Sequence, residues 1–323
     1  MLTALLAVLV IGTLSCNTFA QGVIDQPVVQ SVVQVLGPIR ADGSRSLGSG
    51  FLISVEIPGV TTGPLDPTFL VTNKHVIGSF NPTDKDKNLV PEDWIGVRFY
   101  IRSIPPTNEV RIPLKDANGE LDTSRTVLDP DPLVDVVAIR VDDFLARYRT
   151  AKVHVWSLDI DFLQPFSELP GFYANIGALV FALGYPRGVT SLLTNYPVAK
   201  VGHLAARGGE ELAIQSGPVV YRGKLFLIDG LLVGGNSGGP IVLPGVGAHG
   251  VDLETGQTKA RISGSSRIIG IVSNKTSPDG LVIAFFRRLH QEFDRYSRSK
   301  NPTKTAMRYP DNLIDWRGFS FLR

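Results

Sequence analysis

The string Gly234-Gly235-Asn236-Ser237-Gly238-Gly239-Pro240 sets a serine between glycines on both sides. Glycines allow tight turns and leave room for a substrate to reach the hydroxyl. The same turn can aim the N–H groups of Gly235 and Ser237 at one point. There they would stabilise the oxyanion that forms when a hydroxyl attacks a carbonyl. A glycine-rich hairpin with a solvated serine fits the string equally well, so its context decides.

A serine hydroxyl is a weak nucleophile and needs a base. The chain has 5 histidines, at 75, 154, 203, 249 and 290. His75 stands in Leu70-Val71-Thr72-Asn73-Lys74-His75-Val76-Ile77, at the end of an apolar segment. His154 and His203 fall in alternating strand-like stretches, His249 lies between glycine-rich turns, and His290 belongs to a charged helical pattern. A third group must orient the base. Asp135 opens the apolar run Val136-Val137-Ala138-Ile139-Arg140-Val141, where a buried carboxylate needs a partner. Asp129 and Asp131 compete nearby, but Pro130 and Pro132 place them in a loop, which favours Asp135.

The blocks Thr72-Asn73-Lys74-His75-Val76, Asp135-Val136-Val137-Ala138-Ile139 and Gly235-Asn236-Ser237-Gly238-Gly239-Pro240 resemble those of trypsin-like serine proteases. The bacterial secreted branch, with the Deg-type enzymes, is the nearest likeness. Gly48-Ser49-Gly50-Phe51 is similar to that family's early strand, and Gly270-Ile271-Val272-Ser273 to the strand lining its primary specificity pocket. The resemblance implies a chymotrypsin-like fold, with His75 as base, Asp135 as orienter and Ser237 as nucleophile. It also implies an oxyanion hole at Gly235 and Ser237, and no cofactor or metal. The order His, Asp, Ser excludes an α/β-hydrolase, in which the serine comes first and the histidine last.

Two positions depart from the trypsin pattern. Asn236 precedes the serine where zymogen-activated enzymes carry an aspartate that pairs with a new N-terminal amine. The resemblance therefore implies no trypsin-style activation switch. Leu231 stands where trypsin-like specificity places an acid. It is expected toward the base of the pocket, with Ser273 on the pocket edge and Lys275 near its mouth. A small or medium apolar residue is then expected on the acyl side of the cut, rather than Arg or Lys.

Composition sets the outer bounds. The net charge is +2, from 32 basic and 30 acidic residues, which gives no electrostatic case for nucleic acid. The expected partners are protein or peptide substrates. Leu2 to Leu14 is apolar but short for a membrane span, and Thr18-Phe19-Ala20 is a small-x-small cleavage pattern. Residues 1–20 therefore read as a signal peptide and the protein as secreted or periplasmic, with anchoring by an uncleaved N-terminus as the alternative. Cleavage after Ala20 removes Cys16, the single cysteine, so the mature chain has no disulfide.

The 33 glycines and 22 prolines favour short strands and turns. The expected fold is all-β: two six-stranded antiparallel barrels with a C-terminal helix. Residues 21–145 would form the first barrel, carrying His75 and Asp135. Residues 146–285 would form the second, carrying Ser237. Residues 286–323 would add a helix and tail, with Phe286, Leu289, Phe293 and Tyr296 at helical spacing. Strand-like runs lie at Val28–Val35, Phe51–Val55, Phe69–Thr72, Ile95–Ile101 and Val136–Val141 in the first half. In the second they lie at Ala178–Leu183, Val198–Leu204, Lys224–Ile228, Pro240–Leu243, Ile268–Ser273 and Leu281–Ala284. The function expected is a serine endopeptidase. The rival is an inactive homologue that binds peptides in the groove between the barrels.

Overall fold

The computed structural model describes residues 24–55, 67–80, 89–100, 109–129, 134–149, 155–164, 176–191, 194–206, 212–216, 219–223, 225–251, 258–263, 265–275 and 281–285. The N-terminal twenty residues and the helix expected from Phe286 to Tyr296 lie outside them.

The first half is a sheet of eight strands. Its early members are β1 (Val32–Leu36), β2 (Leu47–Ser54) and β3 (Thr68–Thr72). A separate ribbon, β4 (Gly78–Phe80) with β5 (Leu89–Pro91), follows the histidine. Then come β6 (Trp94–Arg98), β7 (Val110–Pro113), β8 (Thr126–Leu128), β9 (Val137–Arg140) and β10 (Leu158–Asp159). The order is β7-β6-β1-β2-β3-β9-β8, with β10 pairing β2 in parallel. The seven strands on this path replace the expected six, because the stretches around Val110 and Thr126 also pair.

The second half is the expected six-stranded closed barrel, in the order β11-β12-β15-β20-β19-β16. It comprises β11 (Leu179–Gly184), β12 (Val198–Ala206), β15 (Leu225–Gly230), β16 (Pro240–Leu243), β19 (Arg267–Lys275) and β20 (Leu281–Phe285). Two hairpin ribbons interrupt it: β13 (Leu212–Ser216) with β14 (Val219–Gly223), and β17 (Val246–Val251) with β18 (Thr258–Ser263). The sequence reading missed both ribbons. It placed His249 between turns, whereas its backbone lies in β17, opposite Ala260.

Two helices were not expected. Val28 to Ser31 fall in α1 (Gln26–Ser31), not in a strand. Pro27 has the fixed φ that suits a first helical turn, and this local bias outweighs the β-branched run behind it. In the segment that crosses between the halves, α3 (Asp142–Arg149) begins with Asp142 and Asp143, whose charges suit a helix N-terminus. It buries Leu145 completely in the first core.

Three apolar clusters hold this architecture. One lies within the first sheet, around Leu52, Leu70, Ile95 and Ile139. One lies inside the closed barrel, around Ile228, Ile241 and Ile269. The third joins the halves: Phe51 and Phe69 share it with Tyr185, Val242 and Ile271. Each large side chain buried there contributes about 1.5–3 kcal/mol. The joint is therefore apolar and continuous, and the candidate residues lie along it.

Candidate active site

His75 is the second residue of α2 (Lys74–Ile77), a single turn that begins where β3 ends. Val76 and Ile77 are buried, which fixes the turn and leaves the His75 side chain 37% exposed at the sheet edge. Asp135 precedes β9, which pairs with β3 so that Thr72 faces Val137. This register carries Asp135 up to the histidine. Its carboxylate Oδ2 lies 2.6 Å from His75 Nδ1, and Oδ1 accepts from the His75 backbone N–H at 3.1 Å. A carboxylate here only accepts, so Nδ1 carries the proton and Nε2 is left as the basic nitrogen. Asn73 Nδ2 donates to the Asp135 backbone carbonyl and fixes the loop from the other side.

Asp135 is 5% exposed and receives a further hydrogen bond, from Ser273 Oγ at 2.8 Å. The Ser273 hydroxyl is thus committed to Asp135, and the residue is itself 5% exposed. The physical reason is the carboxylate's need for donors once it is buried. For His75, burial of the ring lowers the pKa, while the hydrogen bond and the charge of Asp135 raise it. The balance lies above the ordinary histidine value.

Ser237 lies in the turn before β16 and is half-buried. Its Oγ donates to the Ser273 backbone carbonyl at 3.3 Å, and among the described residues it makes no hydrogen bond to His75. Ser273 thus touches both ends of the predicted group, the carboxylate through its side chain and the serine through its backbone.

The turn around Ser237 has a regular alternation. Every carbonyl from Gly234 to Ser237 is bonded. Gly234 O accepts from Arg187 N–H at 2.7 Å, Gly235 O from Ser49 Oγ at 2.6 Å, Asn236 O from Gly239 N–H at 2.9 Å, and Ser237 O from Ser49 N–H at 2.7 Å. The amides of Asn236 and Gly238 are also bonded, to Val233 O and Val272 O. The amides of Gly235 and Ser237 donate to nothing among the described residues. A trans peptide points its N–H opposite to its C=O. Pinning the Gly234 and Asn236 carbonyls therefore turns both free N–H groups to the other side of the turn. Two unspent amide donors beside a serine can receive a developing oxyanion.

The glycines here are required. Gly235 has φ +96°, and a Cβ there would come within 2.3 Å of Tyr185 O. Gly238 has φ +85°, and its Cβ would meet Ser49 O at 2.1 Å.

The remaining expected positions separate. Leu231 is 68% exposed, so it forms no closed pocket base. The chain alternates as it leaves β15: Leu232 turns into the barrel core, and Leu231 must face outward. Lys275 ends β19 opposite Val282, and the direction of its side chain lies outside the described residues. His203 is on β12, exposed and opposite Asp229, far in sequence from the His75–Asp135 pair. Asn236 is fully buried, and its side-chain amide has no partner on either atom among the described residues. Among the described residues no group of three or more His, Cys, Asp or Glu is placed to hold a metal ion. No described helix is long and apolar enough to cross a membrane.

No protein-family model matches the chain. No curated protein matches it either. Among solved structures, the Rv3671c protease from M. tuberculosis in its active form is similar at 18% identity and a TM-score of 0.44, over 83% of this chain and 82% of that one. The HtrA-type protease AlgW, solved with a decapeptide, is similar at 13% identity and a TM-score of 0.43, over 84% of this chain and 64% of its own. The fold itself is mostly β, an eight-stranded sheet followed by a closed six-stranded barrel. Likenesses this distant carry no argument, and what the site can do follows from its own geometry.

Two residues that matter here escaped the sequence reading as functional groups. By sequence Ser49 is only part of the early strand Gly48-Ser49-Gly50-Phe51. A serine between two glycines at the head of an apolar strand is the signal the sequence offers. Arg187 lies in the turn Pro186–Gly188 with φ +51°, a rare conformation for a residue with a side chain. The Pro-x-Gly spacing announced a turn, but nothing local said what its N–H would hold.

Proposed function

We propose that this chain is a secreted serine endopeptidase. Ser237 is its nucleophile, His75 its general base, Asp135 the orienter, and the amides of Gly235 and Ser237 its oxyanion donors. The observation that carries the reading is the 2.6 Å contact between His75 Nδ1 and Asp135 Oδ2, which leaves Nε2 basic. In the reaction Ser237 Oγ rotates off Ser273 O and gives its proton to Nε2 as oxygen bonds to the scissile carbonyl carbon. The carbonyl electron pair moves onto oxygen, which the two free amides receive. Asp135 stabilises the imidazolium formed. Collapse expels the amine, which takes the proton from His75, and water then repeats the sequence on the acyl-enzyme. Secretion rests on the cleavage pattern ending at Ala20.

The second reading is a catalytically idle peptide-binding module. It draws on the Ser237 hydroxyl, which bonds to Ser273 O and not to His75. Fluorophosphonate labelling of the chain from Gln21 onward separates the two. Labelling at Ser237, absent in Ser237→Ala, is the expected result. A chain that neither labels nor cleaves casein overturns the peptidase reading.

A further inference from the structure

The geometry points to Ser49 as a positioning residue that sets the oxyanion-binding peptides of the second half from the first. This rests on the peptidase reading of the same site. Ser49 lies on β2, is fully buried, and is 186 residues away from Gly235 in sequence. Its hydroxyl and its N–H both bond across the joint, and its carbonyl is held within the first sheet. Its Oγ donates to Gly235 O at 2.6 Å and accepts from Tyr185 N–H at 2.9 Å. Its N–H donates to Ser237 O at 2.7 Å, and its carbonyl accepts from Thr72 Oγ1 at 2.7 Å.

The consequence is mechanical. Gly235 has no side chain, and its φ of +96° could relax by rotation of the flanking peptides. Both are held. Ser49 Oγ holds the carbonyl after the Gly235 Cα, and Arg187 N–H holds the carbonyl before it. Arg187 is itself placed by Tyr185, two residues earlier. The Tyr185 N–H bonds to Ser49, and its Oη lies 3.1 Å from Val32 O on β1 and 2.8 Å from Asn195 O. Ser49 and the Tyr185–Gly188 turn thus form one clamp, anchored on the first sheet, around the residue that presents the free N–H. Removing the hydroxyl leaves a buried carbonyl and a buried N–H without partners, and either peptide can then turn to find one.

The test compares wild type with Ser49→Ala in three readouts. Removing one oxyanion donor typically lowers kcat by about 10²–10³-fold, and a misaimed donor should approach the lower figure. KM and the affinity for a product peptide should change little. Affinity for a peptidyl trifluoromethyl ketone, whose adduct carries the oxyanion, should fall with kcat. Crystal structures of the two forms should show the Gly234–Gly235 or Gly235–Asn236 peptide turned in the variant. A kcat within about threefold of wild type overturns the proposal, as do unchanged peptides in the variant crystal. If Ser49→Ala does not fold, Ser49→Cys, with a weaker donor and acceptor in place, carries the same readouts. If the wild type itself neither labels nor cleaves, the peptidase reading fails, and the crystal comparison alone still decides the clamp.

Discussion

Asp135 holds His75 at two points, the ring through Nδ1 at 2.6 Å and the backbone N–H at 3.1 Å. The first contact selects the tautomer. The second fixes the turn from which the ring projects. A single carboxylate therefore sets both the chemistry and the position of the base.

Asp135→Asn tests the first contact. An amide can offer its NH₂ to Nδ1, which favours the tautomer with the proton on Nε2. That nitrogen then cannot take the proton from Ser237. In the Ser-His-Asp template this change lowers kcat about 10⁴-fold. Steady-state hydrolysis of a peptide substrate near neutral pH measures it. A loss under tenfold would remove Asp135 from the orienting role.

The pH dependence follows from the raised pKa of His75. The ring must be neutral to act as base, so kcat/KM should fall on the acid side with a midpoint above ~6.5. The sign for stability is opposite. The folded state binds the proton more tightly than the unfolded chain. The stabilisation is fully present below pH ~6.5 and is lost as pH rises through the folded value. Urea unfolding should therefore show wild type and His75→Ala converging as pH rises across that range. A gap that widens instead contradicts the assignment.

Ser273→Ala separates an orienting role from a specificity role. Hydrogen bonds to charged groups contribute about 1.5–3 kcal/mol, so the variant's unfolding free energy from urea titration should fall by roughly that amount. Its preference for the residue on the acyl side of the cut should match wild type in a peptide library. Altered preference without loss of stability would restore Ser273 to the pocket edge.

Asn236→Asp tests the activation logic. The side chain is fully buried, and its amide has no partner among the described residues. An aspartate there would be an uncompensated buried charge, costing about 3–5 kcal/mol at neutral pH. Its folded pKa would be raised, so the penalty should grow as pH rises through and above ~3.9, and vanish below it. Thermal melting across pH measures this. A variant as stable as wild type at neutral pH would mean that a cation, such as an N-terminal amine, reaches the position.

Much of the site was written in short strings. The base needs an apolar strand ending in a turn, and Leu70 to Ile77 provides both. The nucleophile needs glycines where φ is positive, and Gly235 and Gly238 are there. The acid must be buried at the start of a strand, and Val136 to Val141 supplies the strand. These are local requirements, so residue type and order reveal them. The closed second barrel was legible for the same reason, since β-branched runs and turn residues mark its strands. Tertiary structure alone decided the partners. The Ser273 hydroxyl reaches Asp135 because β19 and the loop before β9 meet across 138 residues of sequence. Leu231 faces outward because the alternation of β15 commits Leu232 to the core. Ser49 reaches Gly235 only because the two halves share one apolar joint. A hydrogen bond between distant segments depends on register and on the packing of both, and no window of sequence contains either.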